Sequence, residues 1–198
     1  MSGRGAVMSG GGAVMSGGGA IEWLTVPSPL PSGPLTVGIT ELGVAAVHFT
    51  PDAVPEQAPR CVESRRVAAV TERFAAYFAG ARRELGLPVD WRLSSGPHQV
   101  VLEALYRSVP VGETITYGRL AQRSGVFEGV GESPGLAART VGQMMGANPI
   151  PVLVPCHRVV AADGLGGFGN GRIGLDVKRW LLTLEGWLAP TLDWDGPG

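Results

Sequence analysis

Three prolines punctuate the stretch Asn148-Pro149-Ile150-Pro151-Val152-Leu153-Val154-Pro155-Cys156-His157-Arg158-Val159-Val160. Each removes a backbone donor from any ladder it joins, so residues 150–154 cannot form an ordinary central strand. The run reads instead as a stiff, apolar, buried segment that delivers Cys156 to a fixed place. A buried cysteine among apolar residues is most often no more than a small hydrophobe. Here His157 and Arg158 follow it directly, and basic neighbours are expected to lower a thiol from ~8.5 towards neutrality and so make a thiolate nucleophile. In an extended segment adjacent side chains point to opposite faces, so a bridging water, rather than direct contact, is expected between Cys156 and His157.

Composition narrows the alternatives. Hydrophobic residues make up 44% of the 198, with five Trp, which is enough for a core and excludes wholesale disorder. No apolar run approaches the ~18 residues needed to cross a bilayer. Cys61 and Cys156 are the two cysteines, too few for a disulfide scaffold or a four-ligand zinc site, and a cytoplasmic location is expected. With 16 basic and 17 acidic residues, net charge gives no support to a nucleic-acid partner.

The chain opens on a seven-residue repeat, Met-Ser-Gly-Arg-Gly-Ala-Val and its variants, with eight glycines in the first 19 residues. Glycine carries the largest entropy cost of helix formation, so this is no coiled coil, and it supplies no continuous apolar signal-peptide core. Residues 1–20 are therefore expected to be a disordered tail, with Met8 or Met15 as alternative starts. Residues 188–198, rich in Pro, Gly and Asp, are expected to be loose.

Between these ends, residues 35–39 and 44–49 read as a hairpin. Residues 64–85 read as a helix, with Val67, Val70, Phe74, Phe78, Ala81 and Leu85 at spacings of three and four, stopped by Gly86 and Pro88. The spacing predicts a further helix over 97–109. Thr116 is a plausible cap for a short helix over 117–124 closed by Gly125, and Ser133-Pro134 opens another carrying Leu136, Val141, Met144 and Met145. The last helix is expected to start at Asp176, with Val177, Trp180, Leu181 and Leu184 on one face, and to end at Gly186. Glu185 then falls where a carboxylate faces the negative end of the helix dipole, at a cost of ~0.3–1 kcal/mol if exposed. A paired role would explain its presence.

Taken whole, the Asn-Pro…Pro-Cys-His-Arg-Val string resembles the active site of the O6-alkylguanine-DNA alkyltransferases, the methylated-DNA–protein-cysteine methyltransferases. Ser28-Pro29, Gly33-Pro34-Leu35 and Tyr77-Phe78-Ala79-Gly80 are similar to that family's N-terminal domain. Its DNA-binding domain is resembled by residues 112–118 (Gly-Glu-Thr-Ile-Thr-Tyr-Gly), Ala137-Ala138-Arg139 and Leu181-Leu182-Thr183-Leu184-Glu185-Gly186. The resemblance implies an α/β N-terminal domain over 21–95 (a small, ribonuclease H-like sheet plus helix). A mostly α-helical DNA-binding domain with a helix-turn-helix would follow over 96–187.

It also implies a direct-reversal DNA repair enzyme. The Cys156 sulfur would take the alkyl group from O6 of a flipped guanine in double-stranded DNA, once and irreversibly, with no metal and no cofactor. O4-alkylthymine stays open as a second substrate, and a monomer is expected. By the same resemblance Glu185 orients His157, His157 acts through water on Cys156, and Asn148 buttresses the site. Arg139 fills the gap in the base stack, on a helix whose Ala138 and Gly142 permit close approach to DNA. Tyr117 pushes the flanking phosphate and hydrogen-bonds the base. Met145 and Pro151 wall the pocket, the carbonyls of Cys156 and Val159 accept from the guanine amino group, and Phe168 and Gly169 close over the base, with a backbone N–H near Gly169 facing O6.

Residues 164–169 also match Gly-x-Gly-x-x-Gly. A dinucleotide site would need a strand before it and a helix directly after, within a βαβ unit, and residues 170–174 do not read as a helix opening. Residues 98–186 hold eight basic and seven acidic side chains, so modest DNA affinity with a shallow salt slope is expected. Two other readings stay open: a non-catalytic, alkyltransferase-like lesion-binding module, and, more distantly, a cysteine hydrolase.

Overall fold

The computed structural model describes residues 19–50, 53–129, 131, 133–169, 171–192 and 194–197. The repeat over residues 1–18 lies outside them, as do Val130 and Glu132 of the 126–134 loop and Asn170. Three strands, β1 (Glu22–Val26), β2 (Leu35–Ile39) and β3 (Val44–His48), form an antiparallel sheet in that order. Leu24 pairs with Val37, and Val37 in turn with Val47. The expected β2–β3 hairpin is thus present, with an irregularity at Gly38/Ile39. Residues 88–90 run along the outer edge of β3, where Val44 exchanges hydrogen bonds with Pro88 and Asp90. The amide of Val47 donates to the carbonyl of Pro149 at 2.8 Å, tying the sheet to the proline-rich stretch.

Helix α1 (Ser64–Phe78) packs Val70, Phe74, Tyr77 and Phe78 into the core. It stops at Phe78, not at Leu85. Gly80 takes φ +68°, and its amide and that of Ala79 close the last turn on Tyr77 and Ala75. Leu85 is buried all the same, from a loop, and this is why the apolar spacing outran the helix.

The second half contains α2 (Gly96–Ser108), α3 (Tyr117–Ser124) and α4 (Pro134–Gly146). Thr116 and Ser133 cap α3 and α4 by accepting from the amides of Arg119 and Leu136, and Gly125 closes α3, all as their sequence predicts. A two-residue parallel pair joins β4 (Ile115–Thr116) to β5 (Val159–Val160).

Helix α5 covers Gly171–Leu184, so it begins five residues before Asp176, and residues 171–174 do open a helix. Two glycines in its first turn hide that start. Gly174 is required there because a Cβ would collide with the carbonyl oxygen of Phe168, where the glycine-rich loop folds onto the helix. The chain beyond Gly186 is docked, not loose, at one point. Trp194 packs against Trp180, tilted, with ring centroids 5.2 Å apart, and Asp195 accepts from the Trp180 indole at 3.0 Å. No helix among the described residues is long and apolar enough to cross a membrane.

Candidate active site

The proline-rich stretch is a buried turn rather than an extended strand. Val154 donates to the carbonyl of Ile150 at 2.8 Å, and Val152 sits at φ +72°. That is an unusual conformation for a β-branched residue, and it is held here by burial on all sides. Asn148 braces the turn from within: its amide nitrogen donates to the Val154 carbonyl at 2.9 Å, and its oxygen accepts from Ile150 at 3.0 Å. The turn hands the chain to a 3₁₀ turn, Cys156–Arg158, in which all three side chains are buried. The opposite-face argument for Cys156 and His157 therefore does not apply, since the segment is helical at that point.

Behind Cys156 lies a closed polar network. His157 Nε2 is 3.0 Å from Glu185 Oε1. Arg158 grips the same carboxylate through Nε at 2.9 Å and Nη2 at 2.8 Å, and donates Nη1 to the carbonyl of Val109 at 2.7 Å. Tyr77, from α1, donates its hydroxyl to Glu185 Oε1 at 2.7 Å. Burial opposes the charge on Glu185, but His157 and Arg158 outweigh it and hold the carboxyl well below the usual carboxylate range. Burial also holds His157 below its ordinary value, and the charges of Arg158 and Lys178 work in the same direction against Glu185. Arg158 already supplies the positive charge that Glu185 requires, so the imidazole is neutral. A carboxylate only accepts, so Nε2 carries the proton and Nδ1 keeps its lone pair. Nδ1 is buried with no protein hydrogen-bond partner, which leaves it free to act as a base through one water.

The thiol departs from expectation. Burial pushes Cys156 up to about 11, against the pull of the Asn148 side chain, the Lys178 charge and nearby backbone N–H groups. Arg158, expected to activate the sulfur, spends its charge on Glu185. The cation that acts on Cys156 is Lys178, on α5, whose own value burial lowers to about 8.

Lys178 is fully buried and pins the glycine-rich loop. Its ammonium donates to the carbonyls of Val159 (2.7 Å), Leu165 (2.5 Å) and Gly167 (3.2 Å). Tyr117 donates to Gly167 from the other side at 3.1 Å. Gly166, at φ +68°, passes so close to Tyr117 that a Cβ would lie 2.9 Å from its ring. Between this loop and helices α3 and α4 opens a largely apolar cavity of about 730 Å³, with Tyr117, Arg139, Met145, Cys156 and Phe168 on its walls. An open cleft with a nucleophile at its floor, a base behind and an exposed arginine at its rim suits extraction and attack of a planar group.

A family profile described as "6-O-methylguanine DNA methyltransferase, DNA binding domain" matches residues 97–187. A Thermus thermophilus protein named "DNA base-flipping protein" is 41% identical over 80% of this chain and 97% of its own. The methylated-DNA–protein-cysteine methyltransferase of Mycobacterium tuberculosis is 36% identical over 86% of this chain and 95% of its own. The crystal structure of Mycobacterium tuberculosis OGT in complex with DNA superposes with a TM-score of 0.68 at 34% identity, covering 83% of this chain and 92% of that one.

The chain belongs to the methylated-DNA–protein-cysteine methyltransferase family.

In this alkyltransferase the cavity gathers Tyr117, Ala138, Arg139, Gly142, Met145, Cys156, Phe168 and Gly169, all singled out from the sequence. Pro151 and Asn148 border Cys156 from a second cavity. Val159 lies under the site, its carbonyl engaged by Lys178, and the carbonyl of Cys156 accepts from the Val159 amide. Ala138 and Gly142 also lie close to α3: a Cβ on Gly118 would be 4.0 Å from Ala138, and one on Gly142 would be 3.9 Å from the Tyr117 ring. The sequence reading missed Lys178, Tyr77 and the true partner of Arg158. Lys178 carried a signal, for with Leu181, Leu182 and Glu185 it forms an i, i+3, i+4, i+7 stripe, a lysine on a helix face otherwise built for burial. Among the described residues no group of three or more His, Cys, Asp or Glu is placed to hold a metal.

Proposed function

We propose that this protein repairs DNA by moving an alkyl group from O6 of guanine to the sulfur of Cys156, a single time per molecule. The observation that carries this reading is the Glu185–His157 pair directly behind a buried thiol on the floor of an open cleft. Because the thiol rests protonated, the reaction begins with proton removal. Neutral His157 takes the proton at Nδ1 through a water, and the imidazolium that forms is stabilised by Glu185, whose geometry Arg158 and Tyr77 fix. The sulfur attacks the alkyl carbon in line, the carbon–O6 bond breaks, and guanine leaves with a proton. The thioether has no leaving group of comparable ease, so the protein is spent.

The target carbon is unreachable inside a stacked duplex, so the nucleotide is flipped at a cost of a few kcal/mol. Helices α3 and α4 act as a helix-turn-helix. Arg139, exposed at the cavity rim, enters the stack, and Tyr117 presses on the flanking phosphate. The 164–169 loop, pinned by Lys178, closes over the base and presents the backbone near Gly169 to O6. The protein acts as a monomer in the cytoplasm.

The test is intact-mass spectrometry after incubation with a duplex containing O6-methylguanine. One methyl mass on the Cys156 peptide, with none on Cys156→Ala, is the expected result. The same experiment separates a second reading, lesion binding without transfer. Tight binding with an unchanged mass would establish that reading and overturn the first.

A further inference from the structure

His157 does not have its carboxylate partner to itself. Three donors converge on Oε1 of Glu185: the Tyr77 hydroxyl at 2.7 Å, Arg158 Nη2 at 2.8 Å and His157 Nε2 at 3.0 Å. Oε2 takes Arg158 Nε at 2.9 Å. A carboxylate oxygen offers about two lone pairs, so three donors on one oxygen compete for its charge. The imidazole makes the longest of the three contacts. Tyr77 reaches this oxygen from α1, 108 residues away along the chain, in the half where sequence reading found no chemistry.

Resting on the alkyl-transfer reading above, we propose that Tyr77 is a positioning residue whose hydroxyl draws charge on Glu185 away from His157 and so keeps the imidazole neutral and ready to accept a proton. It acts through Glu185 and is not on the wall of the cavity that holds Cys156. Three observations support the assignment. The first is the choice of oxygen. Tyr77 bonds Oε1, which His157 uses, and not Oε2, where it would leave the imidazole's share untouched. The second is permanence. Burial and the neighbouring Glu185 hold the Tyr77 phenol well above its ordinary value, so it stays a donor throughout the working range.

The third is placement. Phe78, next to Tyr77, meets Trp180 of α5 edge-on with centroids 5.9 Å apart, and Trp194 packs against Trp180 in turn. These rings hold α1 against the helix that ends at Glu185, which fixes where the hydroxyl points. A carboxylate left to an imidazole alone favours the imidazolium, and a His157 already protonated could not take the proton of Cys156. The groups that bear on His157 are Glu185 and Lys178 from α5, Arg158 and the protonated Cys156 from the 3₁₀ turn, and Tyr77 through Glu185. Arg158 and Lys178 oppose a charge on His157 by repulsion. Tyr77 opposes it without a charge of its own, by occupying the oxygen that would stabilise it. No proton leaves Tyr77 at any step.

The experiment follows the His157 Nε2–H resonance by NMR near neutral pH, in full-length protein labelled at its three histidines, and measures single-turnover methyl transfer against pH. Two variants push in opposite directions. Tyr77→Phe removes the donor, so Nε2–H should move downfield as its bond to Glu185 strengthens. The acid limb of the transfer rate, where His157 takes up a proton, should then move up by about one pH unit. Tyr77→3-fluorotyrosine keeps the ring in place and donates more strongly, so the resonance should move upfield. Lost packing alone would not give shifts of opposite sign. A resonance unmoved in both variants or moved the same way by both, or an acid limb that stays put in Tyr77→Phe, overturns the inference while leaving the repair function standing. Failure of the unmodified protein to transfer the methyl group removes the repair reading itself, and with it the role of this bond in catalysis.

Discussion

The two sides of Cys156 are built on opposite principles. Behind it, Glu185, His157, Arg158 and Tyr77 are buried and joined by charge-assisted hydrogen bonds from α1, α5 and the 3₁₀ turn. In front of it, the cavity is walled by Tyr117, Met145 and Phe168 among small residues, by a glycine-rich loop and by a single exposed arginine. The rear holds a proton acceptor in one tautomer and one orientation. On the proposed reading the front admits a nucleotide from outside, and among the described residues Lys178 and Tyr117 pin its loop through loop carbonyls. Rigidity is spent where chemistry needs it and withheld where a substrate has to enter.

That contrast breaks first at Arg158. Replacing it with Met leaves a buried carboxylate without its guanidinium, a change of the kind that costs ~3–5 kcal/mol. Chemical denaturation should show a loss of that size. Arg139→Ala, on the open side, should stay within about 0.5 kcal/mol of the parent while weakening capture of lesion-bearing duplex. Equal destabilisation by the two would erase the distinction between the faces.

Lys178→Met comes next, because this residue serves both sides: it holds the loop and its charge favours the thiolate of Cys156. Methyl transfer at neutral pH should slow more than tenfold. The pH profile is the sharper test. With His157 as the base the proton moves within the site, so above the range in which His157 takes up a proton the rate should be level. Lys178 loses its positive charge through about 8 and with it part of its support for the thiolate, so the rate should fall there. In Lys178→Met that fall should disappear. A break near 8 that survives the substitution would assign it to another group.

Much of this was legible in advance, and what was not failed for identifiable reasons. Capping chemistry is local, so Thr116, Gly125 and Ser133 marked α3 and α4 correctly. Apolar spacing is also produced by loops that pack, so Leu85 carried α1 too far, and the glycines at 171 and 174 concealed the first turn of α5. The Cys-His-Arg string located the nucleophile, but adjacency along the chain misled about electrostatics. The guanidinium next to the thiol turns away to Glu185, and the effective cation comes from 22 residues further on. The Tyr77 hydroxyl was visible only once α1 was seen to lie against the end of α5.

Tyr77→Phe isolates one bond of the rear network. Loss of a buried donor to a carboxylate should cost ~1.5–3 kcal/mol, less than Arg158→Met because the charge pair survives. The same network sets the acid limit of the fold. His157, held below its ordinary value, stays neutral in the folded protein while the unfolded chain takes up a proton below ~6.5, so stability should start to fall there. Glu185, depressed, stabilises above the unfolded value of ~4.3, and its contribution should fade only as pH drops further. Thermal melts between pH 7 and 3 should show the two stages in that order. Loss confined to the lower stage would mean His157 is charged in the folded state.

The smallest effect expected is that of salt on DNA binding, and it follows from how the basic residues of the second half are spent. Of the eight between residues 98 and 186, Arg158 is committed to Glu185 and Lys178 to loop carbonyls, both buried. Arg107 pairs with Glu103 at 2.7 Å, and Arg123 donates to the carbonyl of Ser108. Few cations remain to displace counterions, and each contributes only ~0.9 to the log–log slope of affinity against salt. The slope for lesion-free duplex should therefore be no steeper than about −4, with Arg139→Ala making it shallower by about 1. A slope near −6 would mean that phosphates are gripped by residues far from the cavity, and that the front of the molecule is held to DNA far more firmly than its open, sparsely charged surface implies.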